Sequence, residues 1–326
     1  MCAKAQKKAQ PTSVKPMLAT LTKEYFSRDT WIYEPKFDGE RCIAIKKNGS
    51  VSLVSRNNKS INDEYPELAE ALTAQKADNF IIDGEIIAVN NKGISDFQLL
   101  QSRINLHQLA EIEDHVRTEP VFYCIFDVLY TNGADVRVLP LIERKALLKS
   151  LLHYNHMLLY TQHIVGQGVH YLKKACKQGW EGLIAKKIDS RYVGKRSRAW
   201  LKFKCSIGQE LVIGGYTEPQ RSRTDFGALL VGYYKNGSLH FAGKVGTGFS
   251  QETLTMLGKK LRSLEIKTCP FDGYEESMRS IHWVKPVLVA EFEFAQWTKG
   301  NKLRVPRYKG LRTDKAAREV VQELPK

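Results

Sequence analysis

The pattern of residues changes sharply near residue 205. Before this point strand-like apolar runs alternate with helical spacing, which is found at 65–73, 143–154 and 169–178. After it come short strand-like runs with turns between them, at 210–216, 228–234, 239–244 and 287–294, and one helical pattern at 251–264. A chain of 326 residues is long enough for two separate cores. The sequence therefore predicts a flexible basic arm over residues 1–15, an α+β domain over 16–206 and a β-barrel domain over 207–326.

A tight hairpin is predicted early in the α+β domain. Residues 42–46 and 51–55 are strand-like and flank Asn48-Gly49, a pair that accepts the positive φ angles of a two-residue turn. Two further apolar runs, at 80–89 and 121–130, have the composition of inner strands. Lys36 accordingly lies just before a hairpin at the edge of a predicted sheet.

Lys36 stands in the sequence Glu-Pro-Lys-Phe-Asp-Gly-Glu-Arg, residues 34–41. A lysine attacks phosphorus only through its unprotonated amine, so a nucleophilic lysine needs burial or nearby cations that lower its pKa. Arg41, Lys202, Lys204 and a bound metal are candidates for those cations. Lys-x-Asp-Gly alone is a short pattern that also occurs by chance on surface loops. Its interpretation depends on the motifs that follow it.

Four further motifs follow in order along the chain. They are Ser-Arg-Asn at 55–57, Asp-Gly-Glu at 83–85, Glu-Gly-Leu-Ile-Ala-Lys at 181–186 and Trp-Leu-Lys-Phe-Lys at 200–204. Because side chains alternate along a strand, Lys202 and Lys204 share one face, and Asp83 and Glu85 share another. One pair is suited to phosphates and the other to a metal ion.

This ordered set resembles the nucleotidyltransferase superfamily that forms a covalent lysyl-nucleotide, and within it most closely the ATP-dependent DNA ligases. The resemblance covers nearly the whole chain. Residues 303–315, Leu-Arg-Val-Pro-Arg-Tyr-Lys-Gly-Leu-Arg-Thr-Asp-Lys, resemble the family's last motif, and residues 213–219 look like the ligase module of bacterial end-joining proteins. The resemblance implies a nucleotidyltransferase domain of antiparallel sheets and helices, followed by an OB-fold barrel.

The resemblance also implies roles for individual residues. Lys36 would receive AMP, Glu34 would read the adenine amino group and Phe126 would stack on the purine. Arg41 and Arg56 would contact the nucleotide or the nick phosphate. The phosphates of the nucleotide would be bound by Lys186, Lys202 and Lys204, and the leaving pyrophosphate would be oriented by Arg304, Arg312 and Asp314. Glu85 would bind the ribose or a divalent metal, Mg²⁺ or Mn²⁺, and Glu181 the metal. Taken singly, such carboxylates are more often solvated, and an aromatic residue in an apolar run is more often core.

The implied reaction is the ATP-dependent sealing of a 5′-phosphate/3′-hydroxyl nick in duplex DNA. The charge agrees with a polyanionic partner, since 31 basic and 22 acidic residues lie in 1–207 and 19 and 13 in 208–326. A merely soluble cationic surface would have the same charge. We expect a monomer that acts in DNA repair, with end-joining or repair partners on other chains.

Three alternatives stay open. An mRNA capping guanylyltransferase shares Lys-x-Asp-Gly and an OB domain but transfers GMP, and an RNA ligase lacks the last motif at residues 303–315. A non-catalytic basic protein that binds nucleic acid is the third, although intact Lys36 and Glu181 disfavour it.

The cysteines and the N-terminus bear on the compartment. The six cysteines are far apart and contain no Cys-x-x-Cys pair, so no zinc site or disulfide framework is predicted and a reducing compartment is expected. No secretory signal and no apolar run long enough for a bilayer is found. The sequence thus predicts a cytoplasmic protein that is neither secreted nor bound to a membrane.

Overall fold

A computed structural model describes the chain except for residues 1–4, 105–115, 117, 206, 220–223, 276–279, 299, 314 and 324–326. It divides into two compact units, Met1–Cys205 and Ser206–Leu324. In the described residues, no helix is long and apolar enough to cross a membrane.

The first unit combines strands and helices. Its strands are β1 (Gln6–Lys7), β2 (Leu18–Leu21), β3 (Trp31–Pro35), β4 (Glu40–Lys47), β5 (Ser50–Ser55), β6 (Phe80–Ala88), β7 (Val121–Thr131), β8 (Ala134–Asp135), β9 (Leu158–Tyr160), β10 (Ile164–Val165), β11 (Gly182–Lys187) and β12 (Arg196–Lys204). Its helices are α1 (Pro66–Thr73), α2 (Phe97–Ile104), α3 (Leu141–Leu151) and α4 (Gly168–Lys177). α2 was not predicted from the sequence.

These strands form two sheets. The large sheet has the order β1-β8-β7-β6-β4-β5, with β9 also paired to β7, and the second sheet, here called the site sheet, has the order β10-β3-β11-β12-β2. A cluster of buried side chains joins the two sheets, with Ile43 and Ile81 from the large sheet and Trp200 from the site sheet. Leu172 and Ala175 of α4 cover the other face of the site sheet. The site sheet is therefore buried on both faces.

The predicted hairpin is confirmed. β4 and β5 pair in antiparallel register around Asn48 and Gly49, whose φ angles are 52° and 80°. The predicted flexible arm needs a correction at residues 6–10, because β1 pairs with β8 and the Gln10 amide donates to the carbonyl oxygens of Lys46 and Phe80. Backbone pairing explains this docking, and composition alone does not reveal it.

A disulfide joins Cys176, in the last turn of α4, to Cys205, directly after β12. The prediction that the cysteines form no disulfide is therefore wrong. The two residues are 29 apart in sequence, and only the packing of α4 on the site sheet brings their Cα atoms to 5.3 Å. Spacing along the chain could not show this proximity.

The second unit is β-rich, as predicted. Its elements are β13 (Ile207–Thr217), β14 (Leu229–Lys235), β15 (Ser238–Val245), α5 (Gln251–Arg262), β16 (Glu265–Ile266), β17 (Ile281–Val284), β18 (Val289–Phe294), β19 (Gln296–Trp297), β20 (Leu303–Arg304), β21 (Arg307–Leu311) and a 3₁₀ helix (Ala317–Glu319). The long strand β13 pairs with β14 along one edge and with β18 and then β17 along the other. Ser250 begins α5, since its hydroxyl accepts a hydrogen bond from the Thr253 amide at 3.1 Å.

Candidate active site

Lys36 lies directly after β3, where three strands of the site sheet meet. Its amide donates to the Gly182 carbonyl at 3.0 Å, which fixes the backbone of the lysine against β11. Its Nζ forms an ion pair with Glu181 Oε2, and the other Glu181 oxygen is 3.5 Å from Lys204 Nζ. The Lys36 side chain is 17 % exposed, so an entering substrate can reach the amine. The structure thus places the predicted nucleophile beside a carboxylate and a second cation.

The glycine of Lys-x-Asp-Gly has a steric reason. A Cβ at Gly39 would lie 2.2 Å from the Ile86 carbonyl oxygen of β6, a distance that no side chain tolerates. The Asp38 amide donates to the Ser95 hydroxyl at 3.0 Å, which holds the same turn from another side. The motif therefore forms a fixed connection between β3 of the site sheet and β4 of the large sheet.

Strand register explains which predicted residues come together. Directly opposed residues of antiparallel strands share a face. On β11, Ile184 lies opposite Glu34 of β3 and Lys202 of β12. Lys186 lies opposite Trp200, and Gly182 lies opposite Lys204. These side chains lie on the face that looks toward the large sheet, which we call the inner face. The prediction that Lys202 and Lys204 share a face is confirmed by this register.

Glu34 lies buried at the centre of a cationic cluster. Its carboxylate is 2.6 Å from Lys145 Nζ at Oε1 and 2.5 Å from Lys186 Nζ at Oε2. Lys186 Nζ also stands 4.1 Å from the ring centroids of both Phe126 and Trp200. The structure therefore brings together Glu34, Lys186 and Phe126, three residues to which the resemblance assigns nucleotide contacts.

The pKa values of these groups reflect the cluster. Burial alone would raise the pKa of the Glu34 carboxyl, but the ammonium groups of Lys145 and Lys186 hold it below its ordinary value. In the same way Lys36 and Lys204 lower the pKa of Glu181 against the effect of burial. Burial lowers the pKa of Lys186 despite the attraction of Glu34. Both carboxylates are accordingly ionised at neutral pH.

Arg41 lies in a different environment from the predicted one. Its guanidinium makes two hydrogen bonds of 2.6 Å to the buried carboxylate of Asp83, which also accepts from the Tyr192 hydroxyl at 2.7 Å. The Arg41 side chain stands 4.6 Å from the Phe126 ring centroid. Asp83 is thus committed to Arg41 and is not available as the partner of Glu85 in a metal site. The contact of Arg41 with a nucleotide or a nick phosphate stays a prediction.

The other predicted residues have different surroundings or lie outside the described residues. Arg56 is half-buried directly after β5, and Glu85 lies opposite Arg41 on β6. In the second unit Arg304 is exposed on β20, and Arg312 lies 3.4 Å from Glu291. Asp314 lies outside the described residues. The roles predicted for these five residues stay predictions.

The sequence motifs missed Lys145, which the structure places on Glu34. The signal for it was present in α3, where Leu141, Arg144, Lys145 and Leu148 are the buried residues and have the spacing of one helix face. Two cations on the buried stripe of a helix require anionic partners. Arg144 has its partner in Asp127 at 2.8 Å, and Lys145 has Glu34.

Two family models match this chain. The ATP dependent DNA ligase domain matches residues 16–204, and the ATP dependent DNA ligase C terminal region matches residues 222–315. The fold agrees with the adenylation domain and the OB-fold domain of such enzymes, as predicted.

Similar proteins agree with these family models. The chain is 36 % identical to the multifunctional non-homologous end joining protein LigD of Pseudomonas aeruginosa and 35 % identical to the LigD protein of Mycobacterium tuberculosis, over 98 % of its length in both comparisons. It spans 38 % and 41 % of the length of those two relatives. A solved structure, mycobacterial DNA ligase D complexed with ATP and MES, is 33 % identical with a TM-score of 0.68, covering 95 % of this chain and 98 % of that one.

The fold and the matched models define a protein with a nucleotidyltransferase domain and an OB-fold domain. The chain belongs to the ATP-dependent DNA ligase family.

Proposed function

We propose that this chain joins a 5′-phosphate to a 3′-hydroxyl in nicked duplex DNA, with ATP as the donor of AMP. The observation that carries the proposal is the placement of Lys36 beside Glu181 and Lys204 at the end of the inner face. In the first step the Lys36 amine forms a bond to the α-phosphorus of ATP, and the bond to the β-phosphate breaks to release pyrophosphate. The lysine must lose a proton for this attack.

Two further steps complete the proposed reaction. An oxygen of the 5′-phosphate of DNA attacks the adenylate phosphorus, and the bond to Lys36 breaks, so the amine is restored. The 3′-hydroxyl then attacks the 5′-phosphorus and displaces AMP. Each step spreads negative charge over phosphoryl oxygens, and the cations of Lys186, Lys202 and Lys204 are suited to stabilise that charge.

A divalent metal ion fits this site through its carboxylates. In the described part of the chain, no group of three or more histidine, cysteine, aspartate or glutamate side chains is arranged for a metal. Mg²⁺ needs only one or two carboxylates, because waters and substrate phosphates complete its shell. Glu181, which is 16 % exposed beside Lys36, would hold it, and Glu85 is assigned to the ribose or a metal. When bound, Mg²⁺ or Mn²⁺ would neutralise charge on the phosphates.

The remaining roles follow from the resemblance to the family. We assign Glu34 to the adenine amino group and Phe126 to the purine ring, and Arg41 and Arg56 to the nucleotide or the nick. Arg304, Arg312 and Asp314 of the second unit are assigned to the departing pyrophosphate. Relatives named for non-homologous end joining support a role in DNA repair. We further propose that the chain acts as a monomer in the bacterial cytoplasm or nucleoid, with end-joining or repair partners on other chains.

Two measurements test the proposal. Incubation with α-labelled ATP and Mg²⁺ is expected to label the protein covalently, and GTP is not expected to do so. A 5′-phosphorylated nick in DNA is then expected to be sealed, with an RNA nick as the control. Exclusive labelling by GTP, or sealing of RNA alone, would overturn the proposal.

A further inference from the structure

Lys145 is a buried lysine that none of the roles above includes. It comes from α3, and its side chain is 1 % exposed. Its ammonium donates to Glu34 Oε1 at 2.6 Å and to the Thr161 carbonyl at 2.7 Å, and it stands 4.4 Å from the centroid of the Tyr160 ring. The Lys145 ammonium therefore has a carboxylate, a backbone carbonyl and an aromatic ring as its neighbours.

The two cations on Glu34 are held in different ways. Lys145 makes aligned hydrogen bonds to a carboxylate and to a backbone carbonyl. Lys186 contacts Oε2 at 2.5 Å, and its other neighbours are the rings of Phe126 and Trp200, with no backbone carbonyl among its hydrogen-bond partners in the described residues. Moving Lys186 to a phosphate therefore breaks no backbone hydrogen bond, whereas moving Lys145 does. Lys145 is the permanent counter-ion of Glu34, and Lys186 is the exchangeable one.

The difference between the two lysines bears on which purine Glu34 can bind. Adenine presents an amino group that donates where guanine presents an oxygen that accepts. A carboxylate oxygen only accepts, so Glu34 favours adenine, while a lysine ammonium free to donate at the same place would favour guanine. Oε2 becomes available to the base only when Lys186 leaves it. At that moment Lys145 alone keeps the buried carboxylate paired and oriented.

We infer that Lys145 is a positioning residue for nucleotide selection, which holds the Glu34 carboxylate in place for adenine while Lys186 moves to the triphosphate. The inference rests on the proposed function and on the assignment of Glu34 to the adenine amino group. It adds that selection between ATP and GTP depends on a residue that does not touch the nucleotide.

The test replaces Lys145 by methionine, which keeps the length of the side chain and removes its charge. The measured quantity is the ratio of kcat/KM for self-labelling with ATP to that with GTP. Lys145→Met is expected to lower this ratio by roughly tenfold or more, mainly through a higher KM for ATP. The control is Lys149→Met, which changes an exposed lysine one turn further along α3 and is expected to leave the ratio unchanged. An unchanged ratio in Lys145→Met would overturn the inference.

A second variant covers the possibility that Lys145→Met does not fold. Glu34→Gln with Lys145→Met removes both members of the Glu34–Lys145 pair, and it leaves Lys186 in the same state as in Glu34→Gln alone, so comparing these two variants isolates Lys145. If Lys145 acts through Glu34, the double variant and Glu34→Gln alone have the same ATP-to-GTP ratio. A lower ratio in the double variant would contradict the inference, because Lys145 would then act on the nucleotide by another route.

The pH dependence separates a positioning role from a merely structural one. Without the Lys145 ammonium, burial raises the pKa of Glu34, so the KM for ATP of Lys145→Met is expected to rise as the pH is lowered from neutral, while that of wild type stays flat. Equal pH profiles would count against the inference. Failure of wild type to label with ATP would instead overturn the proposed function, so the two failures are distinguishable.

Discussion

The two faces of the site sheet are built from alternate residues of the same three strands, yet they have opposite chemistry. On the outer face Tyr33, Leu183 and Phe203 are fully buried under α4. On the inner face the neighbouring positions form ion pairs, Glu34 with Lys145 and Lys186, and Lys204 with Glu181, which also pairs with Lys36. Because successive side chains of a strand point to opposite faces, one side chain can pack in the core while the next is available to a substrate. Stability should therefore depend on the outer face, and chemistry on the inner face.

The largest expected effect comes from opening a cavity on the outer face. Phe203 packs against Tyr25, Phe26 and Tyr33, with ring centroids 5.0, 5.2 and 5.9 Å away. Phe203→Ala is expected to lower the free energy of unfolding by about 3–5 kcal/mol. Urea denaturation of the variant measures this, with Phe203→Leu as the milder control. An unfolding free energy equal to that of wild type would break the comparison between the two faces.

The disulfide on the same side of the sheet should also affect stability more than activity. The disulfide closes a loop between residues that are 29 apart in sequence. Such a loop restricts the unfolded chain and stabilises the fold by about 3 kcal/mol. Replacing both Cys176 and Cys205 by serine is expected to remove that stabilisation in thermal or urea unfolding. Cys269→Ser, at an exposed thiol, is the control and should change nothing. If the double variant labels with ATP more than about tenfold more slowly while folded, the disulfide belongs to the inner site as well.

Adjacent lysines on β11 sharpen the comparison within a single strand. Lys186 is buried on the inner face, whereas Lys187 is 47 % exposed on the opposite side and lies 3.4 Å from Asp189. Lys186→Met is expected to slow self-labelling with ATP by roughly 10²-fold, because it removes a cation from the developing phosphate charge. Lys187→Met should label at the wild-type rate. An equal loss of labelling rate in both variants would show that the face on which a lysine lies does not determine its part in the reaction.

The smallest expected effect is on the pH dependence of stability. Against the effect of burial, Lys36 and Lys204 lower the pKa of Glu181 below 4.5, its ordinary value. Such a carboxylate adds stability that is fully present above its unfolded-state pKa and is lost as the pH falls through its lower folded-state pKa. The unfolding free energy of wild type should consequently fall more steeply below pH 4.5 than that of Glu181→Gln. Parallel urea titrations of the two proteins measure the difference.

Local patterns predicted the parts of the structure that depend on neighbouring residues. The pair Asn48-Gly49 predicted the turn, and the alternation of side chains along a strand predicted that Lys202 and Lys204 share a face. Both features depend on only a few consecutive residues. The pairing of Lys145 with Glu34 spans 111 residues and depends on how α3 packs, so no local period predicts it. The disulfide was missed for the same reason. The order of the motifs along the chain nonetheless predicted the family, because each strand of the site contributes its motif at its own place in the sequence.

The central claim is that Lys36 receives the adenylate, and one measurement tests it most directly. The protein is incubated with ATP and Mg²⁺ and digested, and the AMP-bearing peptide is located by mass spectrometry. The expected result is AMP on the peptide that contains Lys36, with none on any peptide of a folded Lys36→Ala variant. AMP on a different lysine of the wild-type protein, or unchanged labelling of Lys36→Ala, would contradict the account.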